Sequence, residues 1–175
     1  MQTWKKLLVG AGTSLLLIGA MQVFADDEEG EEHEGRERSE QHEAGMQGLR
    51  ATNAAWKAEC SACHMAYPPG LLPASSWKTM MGSLDKHFGT DASLDDATMK
   101  EILPFLEANA AREPKKVSAE PTLRITETVW FKHEHDEISA ITWKNPKIKS
   151  ASNCAACHTQ AEQGNFDEDT VRIPR

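Results

Sequence analysis

Positive charge is in short supply. The 175-residue chain has 19 Lys and Arg against 27 Asp and Glu, a formal net charge of −8. Such a surface repels a polyanion, so nucleic acid is excluded as a partner. Strand signals are sparse and no βαβ pattern is present, which argues against a thioredoxin-like dithiol. Beyond the first 25 residues no stretch is long and apolar enough to span a bilayer. Cysteine is limited to four positions, Cys60, Cys63, Cys154 and Cys157.

Those four residues organise the chain. They fall in Cys60-Ser61-Ala62-Cys63-His64 and Cys154-Ala155-Ala156-Cys157-His158, two C-x-x-C-H segments of the kind that attach c-type haem. Two thiols three positions apart can form thioethers with the two vinyl groups of one porphyrin, and the adjoining histidine can then donate a ring nitrogen to its iron. A four-cysteine zinc site usually has about 15–20 residues between its pairs; here the gap is several times longer. Structural disulfides would not need His64 and His158. The expected cofactors are therefore two haem c groups, bound through Cys60, Cys63, His64, Cys154, Cys157 and His158.

The chain starts with Lys5 and Lys6, an apolar run over residues 7–20, and Val23-Phe24-Ala25 as a small-x-small cleavage site. Residues 1–25 read as a secretory signal peptide, which implies a periplasmic protein with no stable membrane insertion after cleavage. Removing Lys5 and Lys6 takes the formal charge from −8 to about −10. Residues 26–45 hold ten Asp or Glu against Arg36 and Arg38, with His33 and His42. That composition predicts a disordered acidic tail. Residues 46–175 then form one domain, long enough to build a core around two haems.

Periodicity and breakers predict a mainly α fold. Helices are expected over 49–63, over 77–87 with Ser75 or Ser76 as cap, and from Leu94 through Leu106 with a kink at Pro104. Residues 67–73 are too rich in proline for regular helix. Residues 113–121 read as a linker, 126–138 as a helix, 141–143 as a connection, 154–161 as a helix, and 166–175 as an extended closing strand. The halves are not a repeat, since their flanking sequences do not match, yet their histidines are placed in reversed order. His87 follows His64 by 23 residues, and His135 precedes His158 by 23.

Each iron has a sixth position that is filled by histidine, by methionine, or left open. Outside the motifs and the tail the histidines are His87, His133 and His135, and the competing methionines are Met80, Met81 and Met99. On a helix, His133 and His135 point to nearly opposite sides, so one of them at most faces a haem.

Residues 60–67, the Trp77…His87-Phe88 stretch, Leu123-Arg124-Ile125-Thr126, Trp130-Phe131…Glu134-His135-Asp136-Glu137, Asn153-Cys154…His158 and the closing Val171-Arg172-Ile173-Pro174-Arg175 resemble the small periplasmic dihaem cytochrome c family of the DHC type. The resemblance runs from about residue 50 to the C-terminus and leaves out the acidic segment. It implies helices and loops wrapped around two low-spin bis-histidine haems, with His64 and His158 proximal and His87 and His135 distal. It further implies electron transfer from a membrane cytochrome b to a soluble oxygen-binding cytochrome, the sphaeroides haem protein. On this reading the chain is an electron carrier and not an enzyme. The alternatives, a dihaem peroxidase or reductase and a haem-based redox or gas sensor, both need one iron open or able to lose a ligand.

Overall fold

The computed structural model describes residues 47–115 and 120–175. The proposed signal segment and the acidic segment 26–45 lie outside the described residues, as does part of the expected linker. Among the described residues the fold is helical, with isolated bridges in place of strands, and no helix is long and apolar enough to cross a membrane.

The first half is built on three helices: α1 (Ala54–Cys60), α2 (Ala74–Met81) and α3 (Asp96–Ala108). The continuous helix expected over 49–63 is instead two pieces, a helical turn at 47–50 and then α1. The break has a local cause. The side-chain oxygen of Asn53 accepts the amide of Trp56 at 2.8 Å, so Asn53 caps a new helix and cannot sit inside an old one. Helix α2 also departs from expectation. The Pro73 carbonyl accepts the amides of Ser76 and Trp77, while Ser75 gives its amide and hydroxyl to the Glu113 carboxylate at 2.7 and 2.8 Å. Ser75 thus anchors the chain leaving α3 and does not cap. Helix α2 stops at Met81, and a 3-10 turn (Leu84–Lys86) leads to His87. Asp95 caps α3 through the amides of Ala97 and Thr98.

Trp56, Leu72, Trp77, Met81, Ile102 and Leu106 form the buried core of this half. The Trp77 indole donates to the Pro69 carbonyl at 2.7 Å, fastening the proline-rich loop, whose one helical element is a 3-10 turn (Pro69–Leu71). Pro104 lies within α3, and Phe105 beside it places its ring 5.4 Å from Trp56.

The second half holds less regular structure. A 3-10 turn (Ile125–Glu127) precedes α4 (Val129–Glu134), capped by Thr128, and then α5 (Ala140–Trp143), capped by Ser139. The helix expected over 126–138 is therefore shorter at both ends, leaving His135 just past it, and the expected connection at 141–143 is itself helical. The helix expected at 154–161 is two 3-10 turns (Cys154–Ala156 and Ala161–Gln163). The closing segment forms no strand. It makes one bridge, Val171 to His158, with the Arg172 amide donating to the Cys157 carbonyl at 2.8 Å. The physical reason is shared: this half buries only Phe131, Ile148 and Ala161 among its apolar residues, too little protein-only core to sustain long helices.

Residues 47–50 lie across both halves. A Cβ at Gly48 would collide with the Asn109 carbonyl and with Gly70, and one at Gly164 with the Leu49 carbonyl. Gly164 also has φ +72°, a left-handed conformation that glycine adopts without cost.

Candidate haem sites

Helix α1 ends on Cys60, and the turn after it carries Cys63 and His64. Cys60 lies against the Trp56 core; burial, then the charge of Glu59, push its thiol up to about 11. His64 Nδ1 lies 2.7 Å from the Met65 carbonyl. A carbonyl only accepts, so Nδ1 carries the proton and Nε2 keeps its lone pair.

His87 faces this ring. It ends the 3-10 turn, with its carbonyl accepting the Thr90 amide at 3.0 Å, and Phe88 (φ 50°) and Gly89 (φ 97°) turn the chain back. The His64 and His87 ring centroids are 6.1 Å apart with planes inclined by 27°. Burial first, then His64 and Arg124, hold His87 below the ordinary imidazole range.

The second site repeats the constellation on different backbone. Cys154 and Cys157 flank a 3-10 turn that delivers His158, and burial raises both thiols. His135 donates Nδ1–H to the Phe131 carbonyl at 2.9 Å and lies against the Phe131 ring at 4.1 Å, which again leaves Nε2 free. The His135 and His158 centroids are 6.0 Å apart with planes at 70°. Both thiols and both rings line one apolar cleft of about 670 Å³, counting its open mouth, walled by Phe131, Trp143, Ile148 and Phe166. His158 Nδ1 is buried without a hydrogen-bond partner.

The helix assignment missed why His133 and His135 differ. His133 sits inside α4 and turns outward to Glu134 at 3.1 Å, four-fifths exposed. His135 follows the helix and turns inward. Met81 lies in the first core, with Met80 and Met99 packed around it.

The spacing tests whether these residues fit a haem iron. With metal–imidazole bonds of about 2.0 Å and each nitrogen about 1.1 Å from its ring centroid, two imidazoles on opposite sides of one metal have centroids about 6 Å apart. Both pairs meet that distance, each with two thiols from a C-x-x-C-H segment beside it. Tyr67 connects the sites. Its ring is 4.8 Å from His64, and its hydroxyl donates to the Ser152 carbonyl at 2.7 Å, next to Cys154 in the chain by two positions. Tyrosine occurs once in the sequence, but nothing in its spacing pointed to this link.

Residues 56–166 match the family model for dihaem cytochrome c. The chain belongs to the dihaem cytochrome c family. This dihaem cytochrome c is similar to the diheme cytochrome c from Rhodobacter sphaeroides, at 48% identity over 66% of this chain and 98% of that one, with a TM-score of 0.60. It is likewise similar to the diheme cytochrome type c from Shewanella baltica OS155, at 45% identity over 70% of this chain and 93% of that one, with a TM-score of 0.61. No curated protein sequence matches. Family membership makes the protein an electron-transfer haem protein with two c-type haems.

Proposed function

We propose that this dihaem cytochrome c is a periplasmic electron carrier whose two irons are each held between two histidines, His64 with His87 and His158 with His135. Cys60 and Cys63 tether one porphyrin, and Cys154 and Cys157 the other. The observation that carries this reading is the facing of the rings at 6.1 and 6.0 Å. When bound, the haem supplies a one-electron change of oxidation state at iron. The chain supplies four imidazoles oriented by neighbouring carbonyls and turns, and an apolar wall around the second site. A bound haem held by a histidine on each side would have no position left for substrate, and such ligation would keep its potential below that of a histidine–methionine haem. The resemblance supports a membrane b-type cytochrome as donor and a soluble oxygen-binding cytochrome as acceptor. Residues 1–25, read as a signal peptide, support export.

Carbon monoxide separates the carrier from a peroxidase, reductase or sensor. The ferrous holoprotein should show little spectral change on exposure to it. His87→Ala and His135→Ala should each open one haem of the two to carbon monoxide, and His133→Ala neither. A low-spin spectrum for His135→Ala with a perturbed one for His133→Ala would reverse the assignment. Stoichiometric binding by the wild type would favour an open-site enzyme or sensor.

A further inference from the structure

The turn that presents His87 is held from the other half of the chain. Phe88, the next residue, has φ 50°, a left-handed conformation that bulky side chains rarely adopt. The residue is also 47% exposed, so burial gives it little support. The guanidinium carbon of Arg124 lies 4.1 Å over the centre of the Phe88 ring, within cation–π range. Arg124 also has an acidic neighbour. Its Nε is 3.6 Å from a Glu127 carboxylate oxygen, an exposed pair that orients the guanidinium with little energy of its own. The following residue, Ile125, packs against the first core and lines the second cleft. A positive charge, partly balanced by Glu127, is thereby placed near His87 by a residue 37 positions after it in the sequence.

We propose that Arg124 is a positioning residue for the His64–His87 site, clamping the Phe88 turn that presents His87, and that its charge holds the potential of that haem above the value the histidine pair alone would set. The physics is direct. Reduction adds one electron to the site, so a nearby cation stabilises the reduced state more than the oxidised one. Half of the Arg124 side chain faces solvent, so salt screens the effect. The proposal rests on His87 being an axial ligand, the reading given above.

The test is a potentiometric titration of the holoprotein at low and high ionic strength, comparing wild type, Arg124→Gln and Arg124→Lys. The first-site haem is identified as the one whose low-spin signal disappears in His87→Ala. Arg124→Gln should lower the midpoint of that haem alone, by an amount that shrinks as salt rises. Arg124→Lys keeps the charge and should keep the midpoint near wild type. Because a lysine does not stack as a flat guanidinium does, the same variant should shift the low-spin signal of the first-site haem. Unmoved midpoints in Arg124→Gln, equal movement of both haems, or a fall in Arg124→Lys as large as in Arg124→Gln would overturn the charge role. An unshifted signal in Arg124→Lys would overturn the positioning role. If His87→Ala keeps both haems low-spin, the ligation reading fails instead, and this proposal with it.

Discussion

Trp77 and Trp56 have the same 6% exposure, but only Trp77 spends its indole N–H on a buried acceptor, the Pro69 carbonyl. Phenylalanine at either position shrinks the ring and leaves a small void, which costs about 1–2 kcal/mol. At position 77 it also takes the indole donor from the Pro69 carbonyl, which keeps only the Leu72 amide at 3.3 Å, adding about 0.5–1.5 kcal/mol. Trp77→Phe should therefore destabilise the protein by about 1.5–3.5 kcal/mol and Trp56→Phe by about 1–2. At about 4 °C per kcal/mol for a domain of this size, the two variants should separate by about 2–6 °C in melting temperature. The assay is guanidinium and thermal unfolding of the ferric holoprotein followed by helix circular dichroism. Equal losses in the two variants would refute the claim that this hydrogen bond fastens the proline-rich loop.

Gly164→Ala should cost about 1–3 kcal/mol, because the new methyl meets the Leu49 carbonyl at a left-handed position; denaturant midpoints check it, and a neutral result would mean that residues 47–50 move aside freely. The Thr98 hydroxyl, with the amides of Thr98 and Ala97, holds the Asp95 carboxyl below its ordinary value of 3.8. A depressed carboxylate contributes stability above its unfolded-state pKa and loses it as pH falls through the folded value. The stability gap between wild type and Asp95→Ala should therefore be full at neutral pH and narrow in acid below about 4. Deleting residues 26–45 should leave both haem spectra unchanged while altering the salt dependence of electron transfer to a basic partner, since ten acidic residues go with them; coincident salt profiles would reduce the segment to a solvated spacer.

The two C-x-x-C-H segments were legible because haem attachment demands a fixed local spacing, and Cys60, Cys63 and His64 follow one another through the turn that ends α1. The pairing of His64 with His87 and of His158 with His135 was not, since it depends on how two halves fold back over many residues. Helix existence was read correctly in the first half, where Ile102, Phe105 and Leu106 repeat at helical period. Its boundaries were misplaced wherever a polar side chain intervened, as Asn53 and Glu113 do. In the second half the apolar residues that looked like helix faces line an open cleft, so periodicity overstated the helices. The choice of His135 over His133 turned on where α4 ends, one residue before His135, a detail below the resolution of sequence patterns.

The central claim, two haems each held by two histidines, is tested most directly by near-infrared magnetic circular dichroism of the oxidised holoprotein, where the charge-transfer band reports the axial ligand pair. Bis-histidine bands alone are expected, accompanied by two distinct low-spin resonances from ring planes set at 27° and 70°. A histidine–methionine band, or a high-spin signal amounting to one haem, would contradict it.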